Sequence, residues 1–149
     1  MIKTLKAYLP PIILGLIAFL VVVGHRPLDP SNLSWLVGWD PSQEYFGWAI
    51  FRNGPWLLPI GLNPNYGLEI SSSIVYSDSI PILAILFKIF SGILPNDFQY
   101  FGIWNLTCFI LQAIFAWKLV GLITENKVAI LFSVGLFLFS PILFWKIPT

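Results

Sequence analysis

Four long apolar runs separated by one polar stretch constrain this chain more than any other feature. They cover residues 8–23, 80–94, 98–123 and 128–145. Runs of this kind belong either to a dense soluble core or to helices that cross a bilayer, and charge decides between the two. Only 10% of the 149 residues are charged, whereas 57% are hydrophobic; a soluble domain carries about a quarter charged residues. So little charge cannot coat a globule of this size, and lipid is the expected solvent for most of the exterior. The sequence therefore predicts an all-α membrane protein of about four transmembrane helices in a single membrane domain over 1–149.

The first run follows Lys3 and Lys6, and Pro10 and Pro11 sit where a helix tolerates them, in its first turn. A signal peptide has the same basic start and short apolar core. The segment 21–26, Val-Val-Val-Gly-His-Arg, offers no small-x-small cleavage site, which favours a retained span. Lys88 lies late in the second run, where it can snorkel to the nearer interface. In the third run Asn105, Cys108 and Gln112 share one helical face, where polar side chains usually bind a neighbouring helix. Basic residues favour the inner side, so Lys3, Lys6, Lys88 and Lys146 point to an inside N-terminus, with the loop 24–79 outside.

That outer loop is rich in Pro, Gly, Asn, Ser and Trp and carries Asp29, Asp40, Glu44, Glu69 and Asp78. Its many aromatics argue against disorder and for burial or residence at the membrane interface. Asp40-Pro41-Ser42-Gln43 has the pattern of a helix N-cap with proline in the first position, and Asn53-Gly54-Pro55 ends the helix. The enclosed residues 44–52 are aromatic and partly amphipathic, as expected of a short interfacial helix in the headgroup plane.

Several function classes are excluded. Near-zero net charge, at +1, gives no electrostatic grip on nucleic acid. A single cysteine and a single histidine rule out a disulfide framework or a multi-histidine metal cluster. No phosphate-cradling Gly loop, HExxH or nucleophile elbow is present.

Three residues carry the candidate chemistry. Asp40 is either a general base toward an acceptor hydroxyl or the cap of its helix; one carboxylate can serve both. Asp78, in Tyr76-Ser77-Asp78-Ser79-Ile80-Pro81, either caps the second span or forms, with Asp40, an acid pair suited to a polar head group. Such a pair could also suit a divalent cation, although no motif specifies a metal and no cofactor is expected. Arg52 either holds a phosphate through bidentate hydrogen bonds or anchors and caps its helix. Asn32-Leu33-Ser34 matches the glycosylation sequon, a motif short enough to arise by chance.

The segments Gly38-Trp39-Asp40, Trp48-Ala49-Ile50-Phe51-Arg52, Pro59-Ile60-Gly61-Leu62-Asn63, Asp78-Ser79-Ile80-Pro81, Phe98-Gln99-Tyr100-Phe101-Gly102 and Ser140-Pro141 resemble an uncharacterised family of bacterial inner-membrane proteins. The arrangement also resembles the N-terminal part of GT-C type glycosyltransferases, which include protein O-mannosyltransferases and aminoarabinose transferases. That resemblance implies sugar transfer from a polyprenyl-phosphate donor at the outer face of the inner membrane, with the loop 24–79 in the periplasm. Asp40 would be the catalytic base, Arg52 would stabilise the departing phosphate, and Asp78 would orient sugar or acceptor. GT-C enzymes carry further spans that form the donor groove, and Asp40 precedes a proline where mannosyltransferases place a second acid. This chain, which stops abruptly after Phe144-Trp145-Lys146-Ile147-Pro148-Thr149, is expected to be a fragment that is inactive alone. The alternative expectation is a non-catalytic multi-pass membrane protein whose outer loop binds a lipid head group or a protein partner.

Overall fold

A computed structural model describes residues 2–38 and 40–140. Among them are five α-helices: α1 (Ile2–Val22), α2 (Pro41–Asn53), α3 (Pro81–Ile89), α4 (Phe101–Gly121) and α5 (Lys127–Leu138). Two short strands, β1 (Leu62–Asn63) and β2 (Ser72–Ser73), pair antiparallel with Leu62 opposite Ser73 and Asn63 opposite Ser72. Three 3-10 turns cover Arg26–Leu28, Leu68–Ile70 and Ile74–Ser77. The chain divides into two compact units.

The expectation of four spans is corrected. Among the described residues only α4 is long and apolar enough to cross a membrane, judged by length and composition. α3 has nine residues, about 13 Å of helix at 1.5 Å per residue, against a hydrocarbon core of about 30 Å. The described part of the fourth run, α5, has 12 residues, about 18 Å. The apolar part of α1, Tyr8–Val22, is likewise shorter than a span. The remainder of the fourth expected span, with Ser140-Pro141 in part and Lys146, reaches beyond the described residues. Apolar composition alone misled because it does not fix helix length: Pro81 opens the helix and it ends at Phe90, with Ala84 and Lys88 buried and Ile82, Leu86, Ile89 and Ile93 exposed. The fold is mostly helical with a small sheet.

The first unit contains α1, the Arg26–Leu28 turn, α4 and α5. Its core is Ala18, Phe19, Phe109, Ala113, Ala116, Ile130, Val134 and Leu138. α1 and α4 run antiparallel. Lys118 Nζ lies 5.2 Å from the Tyr8 ring centroid, and Phe19 meets Phe109 edge to face at 5.8 Å. Gly15 permits this approach, since a Cβ there would stand 2.8 Å from the Ile110 Cα. Gln112 donates from Nε2 to the Phe137 carbonyl at 2.7 Å, tying α4 to α5 as the polar face of the third run predicted. Asn126 caps α5, its side chain accepting from the amides of Val128 and Ala129.

The second unit is Pro30–Tyr100, the segment between the end of α1 and the start of α4. It is a folded body rather than a loop, and α2 lies inside it. Trp48 and Phe51 are 0% and 1% exposed, so α2 is a core helix and not one lying in a headgroup plane. Trp48 donates from Nε1 to the Phe98 carbonyl at 3.0 Å and sets its ring edge-on to Tyr100 at 5.1 Å. Phe87 of α3 stacks on Tyr100 at 5.3 Å. The β1–β2 hairpin is fastened to this core by Asn63, whose Nδ2 donates to the Gly47 carbonyl at 3.0 Å.

Candidate functional site

Two groups of candidate residues lie at opposite ends of α2. Asp40 precedes its first turn and Arg52 sits in its last. Twelve residues of helix separate them by about 18 Å along the axis, so they do not form one centre.

Arg52 is buried, 9% exposed, and its guanidinium faces backbone carbonyls. Nη1 donates to Pro95 O at 2.6 Å and Asn96 O at 3.2 Å; Nη2 donates to Leu94 O at 2.7 Å and Ser91 O at 2.9 Å. Four of the five N–H groups of the guanidinium are thereby committed. These carbonyls belong to the turn that follows α3, where helix ends leave acceptors unsatisfied. Lys88 of α3 does the same for α2: its Nζ donates to Phe51 O at 2.6 Å and Pro55 O at 3.1 Å. The ammonium also lies 4.0 Å from the Phe51 ring centroid and 4.8 Å from that of Trp56. The expected snorkelling of Lys88 is thus replaced by burial at 3% exposure. Each helix supplies the cation that caps the other. Burial pushes the Lys88 ammonium below its ordinary pKa range.

The carboxylate end is built differently. The expected side-chain cap by Asp40 does not form: Asp40 has helical φ and ψ, and its side chain makes no cap hydrogen bond. Ser42 holds the entry instead. Its Oγ accepts from Gly38 N at 2.9 Å and donates to Leu36 O at 2.8 Å. The Asp40 carboxylate is left in solvent. Trp39, the middle of the Gly38-Trp39-Asp40 segment, lies outside the described residues.

Asp78 stands between two fully buried serines, Ser77 and Ser79. Ser77 Oγ donates to Ile74 O at 3.1 Å and lies 2.9 Å from Ser79 Oγ, and Ser79 Oγ donates to Glu44 O in the first turn of α2. The Tyr100 hydroxyl donates to the Ser79 carbonyl. Gly47 makes room for this turn, since a Cβ there would overlap both serine hydroxyls. Between these anchors the backbone is forced into the left-handed region at Asp78 (φ 51°) and Ile80 (φ 49°). For a β-branched residue such as Ile80 this is a true outlier. Strain of this kind persists only where the surroundings over-determine it, and it gathers at functional sites. The exposed Asp78 carboxylate is therefore presented on a rigid mount. Among the described residues neither Asp40 nor Asp78 makes a side-chain hydrogen bond or ion pair.

Sequence reasoning missed Ser77, Ser79 and Gly47 as the parts that build this mount. Alternating serines around Asp78 and a glycine inside a helix were the available signals. Tyr100 faces the same turn; its hydroxyl is held far above the ordinary tyrosine range by burial, with Glu44 adding to the effect. Among the described residues no group of His, Cys, Asp and Glu has the clustering to hold a metal ion.

Several residues in the segments that carry the resemblance are structural in this unit. Trp48, Phe51, Asn63, Phe98 and Tyr100 are buried, and Gly61 accepts from the Ile74 amide at 2.8 Å. No curated protein and no solved structure matches the chain. A family model matches residues 12–148, by which the chain belongs to the family described as Domain of unknown function (DUF6311).

Proposed function

We propose that this chain is held at a membrane by α4 and that its second unit presents Asp40 and Asp78 to a polyhydroxyl group carried at the membrane surface. The membrane part of this reading is supported by the surface of α4. Only 17% of its apolar window is buried, whereas a helix from a soluble core would be mostly buried. Leu111, Phe115 and Leu119 of α4 and Phe132 and Leu136 of α5 are all exposed. An outward surface of this kind is costly in water and free of cost in hydrocarbon.

The single observation that carries the site is the solvated Asp78 carboxylate on a strained turn clamped by Ser77 and Ser79. A sugar offers adjacent hydroxyl donors, which a carboxylate on a backbone already held in place accepts with only its own side chain left to order. The exposed Tyr76 ring stands two residues away, an apolar surface for the C–H face of a pyranose. In the reading supported by the resemblance to GT-C glycosyltransferases, the donor is a polyprenyl-phosphate sugar at the outer face of the bacterial inner membrane. Asp40 takes the proton of the acceptor hydroxyl as that oxygen attacks the anomeric carbon, and the lipid phosphate leaves with the bonding electron pair. Asp78 orients the sugar.

A second reading, a surface that binds a sugar-bearing head group without transfer, is favoured by Arg52. Its guanidinium serves the carbonyls of residues 91–96 instead of standing free for a departing phosphate.

The test uses the protein in lipid nanodiscs with a polyprenyl-phosphate hexose. Transfer that Asp40→Asn abolishes, with donor binding retained, supports the catalytic reading. Donor binding lost in Asp78→Asn without any transfer in the parent supports the second. Binding unchanged in both variants would refute the site.

A further inference from the structure

We propose that the β1–β2 hairpin is a wedge that inserts into the lipid interface, a role resting on the membrane association argued above. The hairpin tip places Leu68 and Ile70 in one 3-10 turn, each 91% exposed. Isolated exposed aliphatics need no explanation, but these two stand together and Leu68 is displayed at a conformational cost. Leu68 (φ 54°) and Ser71 (φ 61°) both occupy the left-handed region, beside Gly67 (φ 92°). A turn built to relieve strain would hold glycine or asparagine at such positions; here Leu68 keeps a bulky aliphatic at one of them and stands 91% exposed.

At the base of the hairpin the bond from Ile74 N to Gly61 O brings residues 58–60 beside residues 74–76. Leu58 is 84% exposed, and Ile60, Val75 and Tyr76 are exposed with it. Aliphatic residues at a tip with an aromatic behind them follow the order of a membrane interface, where hydrocarbon gives way to the headgroup layer occupied by Tyr and Trp.

Charge selects the occupant further. Residues 56–76 contain no Lys or Arg, and Glu69 lies within the tip itself. An acidic tip has no attraction for anionic head groups, so its insertion depends on apolar burial and suits a zwitterionic bilayer.

The experiment uses the full chain with Cys108→Ala, reconstituted in phosphatidylcholine vesicles and labelled with an environment-sensitive fluorophore at single cysteines. Leu68→Cys and Ile70→Cys report the tip, Ser34→Cys reports an exposed polar turn of the same unit, and Leu111→Cys reports α4. The inference expects blue-shifted emission at 68 and 70, quenching by shallow spin-labelled lipid, and protection from iodide relative to position 34. Adding phosphatidylserine is expected to weaken or leave unchanged the quenching, not strengthen it. Iodide access at 68 and 70 equal to that at 34, with position 111 in lipid, would overturn the wedge alone. Water-like emission at 111 as well would overturn both the wedge and the membrane reading. Protection from iodide without quenching by spin-labelled lipid would mean cover by protein, and would also overturn the wedge.

Discussion

Replacing Arg52 by methionine keeps much of the side-chain volume but removes the donors to four carbonyls, at Ser91, Leu94, Pro95 and Asn96. A hydrogen bond from a charged donor contributes about 1.5–3 kcal/mol. The four do not add in full, because Arg52 is 9% exposed and water can enter to satisfy part of the vacated ring of acceptors. A loss of about 3–5 kcal/mol is therefore expected, as for removing one partner of a buried ionic contact. That is a large fraction of the total stability of a small domain, about 5–15 kcal/mol. Hydrogen exchange reads it directly. The amide of Phe98 bonds to Pro95 O and that of Gln99 to Pro30 O, both beside the ring Arg52 organises. At about 1.4 kcal/mol per tenfold, their exchange should accelerate a hundredfold or more, while amides in the middle of α4 keep their protection. Arg52→Lys should recover only part of the loss, since one ammonium cannot span the fork of acceptors. Unchanged exchange at Phe98 and Gln99 in Arg52→Met would refute the capping role. If phosphate binding were lost with that protection intact, Arg52 would act on a ligand.

Gly47→Ala should lower stability by about 1–3 kcal/mol or more, because its Cβ would displace the buried Ser77 and Ser79 hydroxyls; thermal unfolding checks it, and any binding that depends on Asp78 should fall in parallel. Lys88 gives a pH dependence of defined sign. Its folded pKa lies below the ordinary 10.5, so between the two values the unfolded chain binds more protons and stability rises with pH. Denaturant unfolding at stepped alkaline pH should show this rise levelling off above the ordinary value, and Lys88→Met should flatten it. A fall in stability over that window in the parent, absent in the variant, would contradict the assignment.

The sequence marked helical stretches at 8–23, 98–123 and 128–145 and a short helix after Asp40-Pro41, and the structure has helices at 2–22, 101–121, 127–138 and 41–53; the first runs further back than expected, with Pro10 and Pro11 inside it and not in its first turn. The Asn53-Gly54-Pro55 stop could be read directly, and Gln112 pointed to a neighbouring helix; the Asn126 cap of α5 came only with the structure. The second apolar run could not be assigned in the same way. Residues 80–94 satisfy the composition of a span, yet Pro81 opens a helix that ends at Phe90, nine residues long. Composition reports how apolar a stretch is and not how far its helix runs, so it does not separate a span from a short helix.

The site divides along the same line. Asp40, Asp78 and Arg52 stood out as the chemistry-bearing residues of a polar stretch, and local pattern offered each both a capping role and a ligand role. Only tertiary contacts chose. Arg52 is claimed by carbonyls some forty residues distant in sequence, whereas Ser42 takes over the entry to α2 and leaves Asp40 in water. Asp78 owes its mount to Gly47 and Tyr100, neither of them its neighbour in the chain. A single sequence thus determined which stretches are helical, since that preference acts over one turn. The tertiary structure decided which polar groups are free, because a donor or acceptor is satisfied by whatever the fold brings within about 3 Å.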